Sequence, residues 1–491
     1  MRSRCPGPAA AVVLAVLGLL AAAACSNPQP SILIISIDSL RADEVSRVEN
    51  GRPVAPRLAA FAKESIRYTS ALSAAPWTTP SMMAVMTGLP APAHGVEEHD
   101  RALAPSVPVL AERFQRARWR TGAVSPALTL RPEYGFARGF DDYDFEPLGH
   151  DVVTSPKLSG KTLHMLDRYK DDRFLVWVHF WDPHYNYIPP APYDVQYRTG
   201  VKPAREDVQC LKWIENPLPP DGALYLHGQY RGEIAYTDKF VREILDHLEK
   251  LGRADDTIVV ILGDHGESFQ AHGWLGHTIR VDQDMTHVPI MIRWPGHLAP
   301  AEIDGPVEIA QIGPTLLKLA GLPHEDFGLA KPLPLTPADT AQDASALTRT
   351  LRMGCYTGLL QGKWKYQLDH RTCGETLFDL SADPGETHDL APREAQALAA
   401  MRSALRARFD AIGAAKVPHA MLPRQLIDET EAALRSIGYV QAATGLAGQG
   451  TEIVCEALPD PTKYKHDAFG DLQVFQPCAR DGAERCLHQL P

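Results

Sequence analysis

The chain has 491 residues, 45% of them hydrophobic and 22% charged, with a formal net charge of -11. That length exceeds one ordinary core, so a large α/β domain with a smaller companion is expected, and the composition is globular. The acidic balance argues against a nucleic-acid partner, and the 41 prolines point to rigid loops rather than disorder.

The N-terminus reads as a targeting segment. Arg2 and Arg4 precede a sixteen-residue apolar run, Ala9–Ala24, shorter than the ~20 residues a membrane-spanning helix needs. Small residues then lead into Cys25 and a polar Ser-Asn-Pro-Gln-Pro stretch, which resembles a bacterial lipobox. Residues 1–25 are therefore expected to be a lipoprotein signal region. The body would be exported, periplasm-facing or at the cell surface, and anchored to the membrane through a lipidated Cys25. Ala22, where Leu is more usual, keeps plain signal-peptidase cleavage as the alternative. No later run reaches the ~18 residues of a membrane span. Beyond Cys5 and Cys25 there are six cysteines, Cys210, Cys355, Cys373, Cys455, Cys478 and Cys486, which contain no CxxC pair and read as disulfides in an exported protein. Cys355 and Cys373 flank a hairpin-like stretch and are the expected pair.

Three apolar runs organise the rest. Ser31–Ile37 ends on Asp38, Phe174–Phe180 on Trp181-Asp182-Pro183-His184, and Thr257–Gly263 on Asp264, His265 and Glu267. Apolar text without helical periodicity marks strands buried on both faces of a parallel sheet. At the carboxyl edge of such a sheet, ligands and catalytic groups collect. Between the first two runs, Thr79 and Pro80 read as the N-cap and first residue of a short buried helix. Thr78 then sits just outside its N-terminus, where free N–H groups favour an anion. His94-Gly95 reads as a structural turn, His99, Asp100 and Arg101 as a solvated loop, Val109–Ala117 as a helix, and Trp177 and Trp181 as core or cleft wall. Gly200–Asp221 is a Pro-rich loop, and Tyr230–Leu251 has apolar residues at helical spacing. Beyond the helix Ile309–Leu322, a linker (Leu329–Ala346) leads to short strands around Met353–Leu368 and Thr376–Leu380. Helices at Arg393–Ile412 and Asp428–Ser436 follow, and the Cys-containing tail, 441–491, has no readable role.

Cleaving an ester at sulfur or phosphorus needs a deprotonated nucleophile, positive charge on the equatorial oxygens and a proton for the leaving oxygen. A divalent cation held beside the nucleophile supplies the first two. Asp38, Thr78, Asp264 and His265 offer such a ligand set, suited to Zn²⁺ ahead of Ca²⁺. His184 and His277 are candidates to move protons or hold the oxygens. Asp182 is a weaker candidate for a second metal.

With IISIDSLRAD, APWTTPSMMAVMTGLPAPAHGV, FLVWVHFWDPHYNYIPP and GDHGESFQAHG in this order, the chain resembles a sulfatase-family hydrolase of the alkaline phosphatase superfamily. The likeness continues through THVPIMIRWPG and ALRSIGYV, covering about residues 31–440. It implies an α/β fold with a mostly parallel sheet flanked by helices (alkaline phosphatase-like), a catalytic domain at 31–326 and a smaller C-terminal α+β subdomain at 327–440. It also implies one divalent metal and a small-molecule, glycan or lipid-headgroup ester as substrate, cleaved through a metal-bound Thr78. Thr78 stands where the family has Cys or Ser, Met82 where it has Arg, and Ser39 where many members have a second Asp. A Thr cannot become formylglycine, so the resemblance does not carry over the hydrate-based sulfate cycle, and the set resembles that of exported phosphoethanolamine transferases. His277 matches a substrate-contacting His, and His272 lies one layer out. The alternatives are a phosphoryl-group transferase and a non-catalytic binding lipoprotein.

Overall fold

The computed structural model describes residues 29–149, 152–203, 218–351, 354–370, 372–415 and 417–436. The signal region, Cys210 and the tail with its three cysteines lie outside the described residues. Among the described residues, no helix is long and apolar enough to cross a membrane.

Strands β1 (Ser31–Ile37), β2 (Ile66–Leu72), β3 (Arg120–Ser125), β4 (Asp142–Phe145), β5 (Phe174–Phe180), β6 (Thr257–Gly263), β7 (Ile290–Arg293) and β8 (Ala301–Glu308) form one sheet. Their spatial order is β8-β2-β7-β6-β1-β5-β3-β4. β1 pairs in parallel with both β5 and β6, and β7 alone runs against its neighbours. The three central strands match the three apolar runs residue for residue, and every residue in them is buried.

Alternation along each strand divides the core into two layers. Ile32, Ile34, Leu175, Trp177, Ile258, Val260 and Leu262 face one side, and Leu33, Ile35, Val176, Val178, Val259 and Ile261 the other. On the first side pack helices α2 (Thr78–Thr87), α3 (Leu110–Arg116), α6 (Ile312–Leu319) and α7 (Ala395–Ala415). On the second side lie α1 (Pro56–Lys63), α4 (Ser155–Tyr169) and α5 (Pro220–Lys250). The mostly parallel sheet flanked by helices is as expected. Helix α5 starts at Pro220, inside the stretch read as a loop.

Strands β9 (Ser345–Thr350), β10 (Tyr356–Gln361), β11 (Trp364–Asp369) and β12 (Gly374–Asp379) make a second, antiparallel sheet, and helix α8 (Arg424–Ser436) follows α7. Leu347, Leu359, Tyr366 and Leu377 from this sheet join the same core layer as α2 and α7. The C-terminal sheet thus closes over the face of the main sheet that carries α2.

Candidate active site

Because β1, β5 and β6 are parallel neighbours, their carboxyl ends stand side by side. Asp38 leaves β1 and Asp264 leaves β6, joined by Asp264 N–H donating to Ile37 O. Helix α2 is buried along its whole length, and its first residue, Thr78, faces both acids' strand ends. The helix begins at Thr78 with Trp77 in the N-cap position, two residues earlier than the Thr79-Pro80 reading. Thr79 does not cap: its hydroxyl donates to Thr129 O at 2.6 Å. Ser81 Oγ–H donates to Asp264 O at 2.5 Å and ties the helix to the end of β6.

The predicted set converges. Thr78 Oγ1–H donates to Asp38 Oδ2 at 3.2 Å and lies 3.5 Å from His265 Nε2. His265 Nε2 is 3.3 Å from Asp38 Oδ1 and 3.6 Å from Asp264 Oδ2. His265 Nδ1–H donates to Gly266 O at 2.9 Å, which turns Nε2 toward the carboxylates. Asp264 Oδ1 accepts from Ser39 N–H (3.1 Å) and His265 N–H (2.8 Å). Ser39 adopts a left-handed backbone (φ 57°), and its hydroxyl donates to Asp38 Oδ1 at 3.0 Å. Where many sulfatases carry a second acid, this chain has a neutral donor.

Two features of this cluster fit a divalent cation. One ligand atom from each of Asp38, Asp264 and His265 lies within 4.8 Å of the others, and all three residues are buried. Asp264 Oδ2 is buried and accepts no hydrogen bond among the described residues, a costly state for a carboxylate. The electrostatics agree. Burial opposes charge on His265, yet Asp264 and Asp38 raise its pKa to about 10. Burial also opposes ionisation of Asp38, but the charge of His184 and hydrogen bonds from His179 and His265 hold it well below the usual range. Asp264 is pushed up, by burial first and then by the negative charge of Asp38. Two carboxylates in so dry a site favour a positive charge beside them, which the His265 imidazolium supplies and a cation that displaces its proton would supply in turn.

His184 and His277 complete the wall. The ring of His277 lies 4.4 Å from that of His265 and 5.0 Å from that of His184. His277 Nδ1–H donates to Glu267 Oε1 at 3.0 Å, and burial lifts Glu267 to about 8. His184 Nδ1–H donates to Tyr185 O at 2.8 Å, and burial drops its pKa to about 3.

Several expectations change. Asp182 is no metal ligand: its carboxylate accepts from the N–H and hydroxyl of both Thr154 and Ser155 at 2.6–3.1 Å, satisfying the N-terminus of α4. His99 is buried rather than solvated, its ring 5.2 Å from that of Trp77, next to Thr78. Met82 is fully buried in the core, so the family's arginine position supplies no charge here. His272 gathers with Asp282 and Asp284 in a second group, in which Arg280 donates to Asp282 at 2.6 and 3.2 Å. Two participants escaped the sequence reading. Glu267 was seen at the end of β6 without a role, and His179 was passed over inside an apolar run, although its Nε2 lies 3.3 Å from Asp38 Oδ2.

Comparison with known proteins gives the same direction. The sulfatase family model matches residues 30–322. A choline-sulfatase of Rhizobium meliloti (strain 1021) is 24% identical over 460 residues, covering 78% of this chain and 87% of that protein. Arylsulfatase K of Rattus norvegicus is 30% identical over 194 residues, 37% of this chain and 33% of that protein. Among solved structures, the phosphonate monoester hydrolase of Agrobacterium radiobacter superposes with a TM-score of 0.65 at 19% identity, covering 80% of this chain and 97% of that one. BT4656, solved with D-glucosamine-2-N,6-O-disulfate, superposes with a TM-score of 0.62 at 17% identity, covering 78% of this chain and 98% of that one.

Proposed function

Since the chain belongs to the sulfatase family, we propose that it is a metal-dependent hydrolase of sulfate or phosphate esters in which Thr78 is the nucleophile. The observation that carries this reading is the Thr78 hydroxyl 3.2 Å from Asp38, beside a buried trio of metal-competent side chains. Asp38, Asp264 and His265 would hold one divalent ion, Zn²⁺ ahead of Ca²⁺, which supplies positive charge next to the nucleophile and the ester's oxygens.

The chain's own residues account for the rest. Thr78 Oγ1 stands at the N-terminus of α2, where the helix dipole favours negative charge. Its proton leaves along the hydrogen bond to Asp38 Oδ2 as Oγ1 bonds to sulfur or phosphorus. The bond from that atom to the ester oxygen breaks, and the departing oxygen takes a proton from the imidazolium of His277, oriented by Glu267. Water then cleaves the Thr78 ester: one of its protons goes to His277, its oxygen and other proton leave with the released sulfate or phosphate, and the proton held on Asp38 returns to Thr78 Oγ1. His184 lines the same wall, its Nδ1 proton held by Tyr185 O. The substrate class is a small-molecule, glycan or lipid-headgroup ester.

Export and a lipid anchor at Cys25 complete the proposal on the strength of the N-terminal sequence. A Cys355–Cys373 disulfide belongs to it as well. Tyr356 and Gly374 both sit opposite Asp369 on the two sides of β11, so the preceding cysteines lie at one end of the small sheet.

Replacing Thr78 with Ala should abolish turnover of nitrophenyl sulfate and nitrophenyl phosphate while metal content and circular dichroism stay at wild-type values. Turnover that survives T78A removes Thr78 from the role.

A further inference from the structure

An indole N–H can donate a hydrogen bond but never accept one. Trp177 Nε1–H donates to Ser36 Oγ at 2.8 Å, so the hydroxyl's own hydrogen must point elsewhere. Two acceptors are in range, His179 Nδ1 at 2.9 Å and Val178 O at 3.4 Å. The shorter contact wins. With Nδ1 accepting, the proton of the neutral ring sits on Nε2, which faces Asp38 Oδ2 at 3.3 Å. The reverse polarity would set an imidazole lone pair against a carboxylate in a fully buried site. We propose that Trp177, Ser36 and His179 form a one-way hydrogen-bond chain ending on Asp38, in which His179 is a positioning residue for the metal-binding carboxylate and not a metal ligand.

The sheet builds this chain. Ser36 on β1 is in register with His179 on β5, and Trp177 precedes His179 by two residues on the same face. All four residues are buried to 1% exposure or less, so no water competes for the donors. His179 also stands outside the group of Asp38, Asp264 and His265 whose ligand atoms lie within 4.8 Å of one another. Its N–H shares Asp38 Oδ2 with the Thr78 hydroxyl, and thereby fixes the carboxylate that both the ion and the nucleophile use. Outer partners of this kind govern affinity as much as ligands do.

The inference rests on reading Asp38 as a metal ligand, but the direction of the chain is measurable without metal. Zn²⁺ affinity of the full-length protein is measured by chelator competition for wild type, His179→Leu and His179→Gln, the last retaining an N–H at the Nε2 position. Loss of about 10–100-fold in His179→Leu, with His179→Gln within a few-fold of wild type, is expected. In metal-free protein with nitrogen-labelled histidine, NMR should show His179 as the Nε2–H tautomer, assigned by its absence in His179→Gln. That preference should fade in Ser36→Ala. An unchanged affinity in His179→Leu would reduce the residue to packing. Equal loss in both variants, with one imidazole fewer in the X-ray absorption of bound zinc, would make it a ligand. An Nδ1–H tautomer would reverse the chain. Wild-type protein that takes up no Zn²⁺ sinks the metal reading itself, and with it the carboxylate's role, whereas the tautomer still reports the chain's direction.

Discussion

His94 has a partner for each ring nitrogen. Nε2–H donates to Pro80 O at 3.1 Å, and Nδ1 accepts from Val96 N–H at 3.0 Å, at a position with no exposure. Only the neutral ring satisfies both, and burial lowers its pKa to about 3. The unfolded chain binds this proton near pH 6.5, so between those values the unfolded state holds more protons. The contribution of His94 is complete above about pH 6.5 and is lost as pH falls, by about 1.4 kcal/mol per unit. Urea unfolding between pH 5 and 7.5 should show a slope shallower by about one proton in His94→Gln than in wild type; equal slopes would contradict the assignment. His277 is held differently, by one acid that fixes its Nδ1 proton. Glu267→Gln should therefore lower kcat by about 100-fold or more for alkyl esters, the range of general-acid effects. For nitrophenyl esters, whose leaving oxygen needs no proton, the loss should be small. An equal loss for both substrates would remove proton donation from the pair.

At the scale of the element, Asp182 shows how a site-like residue becomes structural. It accepts from two backbone N–H groups and two hydroxyls at the start of α4, 27 and 28 residues earlier in the chain. Asp182→Ala strands those donors in a buried setting and should cost about 2–3 kcal/mol, read as a lower urea midpoint with unchanged metal content. No local pattern announces such a cap, because its partners belong to another element. The central strands, by contrast, were readable to the residue: Ser31–Ile37, Phe174–Phe180 and Thr257–Gly263 are apolar on both faces, and only a doubly covered parallel strand requires that. Their ends carried Asp38, Asp264 and His265 with them. The start of α2 was misplaced by two residues, since the Thr79 hydroxyl takes a tertiary partner, Thr129 O, instead of its own helix. Ser36 and His179 are polar residues inside apolar runs, and the runs alone give them no role. Their shared face near the ends of neighbouring strands is a periodic signal, visible only once those strands are known to be adjacent. Strand β9 was hidden for a related reason: its sequence, SALTRT, earns its place by pairing with β10 rather than by its own pattern.

The whole molecule stores an imbalance at Asp264, whose buried Oδ2 has no hydrogen-bond donor among the described residues. A bound cation relieves it and stabilises the fold through mass action, by about 2.7 kcal/mol at a hundredfold excess over Kd. EDTA should thus lower the Tm of the loaded protein. Asp264→Asn should melt at one temperature with or without EDTA, above that of the chelated wild type. A variant that still responds to EDTA would place the ion elsewhere. The distribution of the ligands has a further consequence. Asp38 and His265 meet only when β1 and β6, more than two hundred positions apart in the sequence, lie against each other. A fragment that ends before β6 carries Asp38 but lacks Asp264 and His265, two of the three residues proposed to hold the ion. In the proposed site the grip on the ion is complete only once β1 and β6 have paired, so cation uptake would report that long-range pairing.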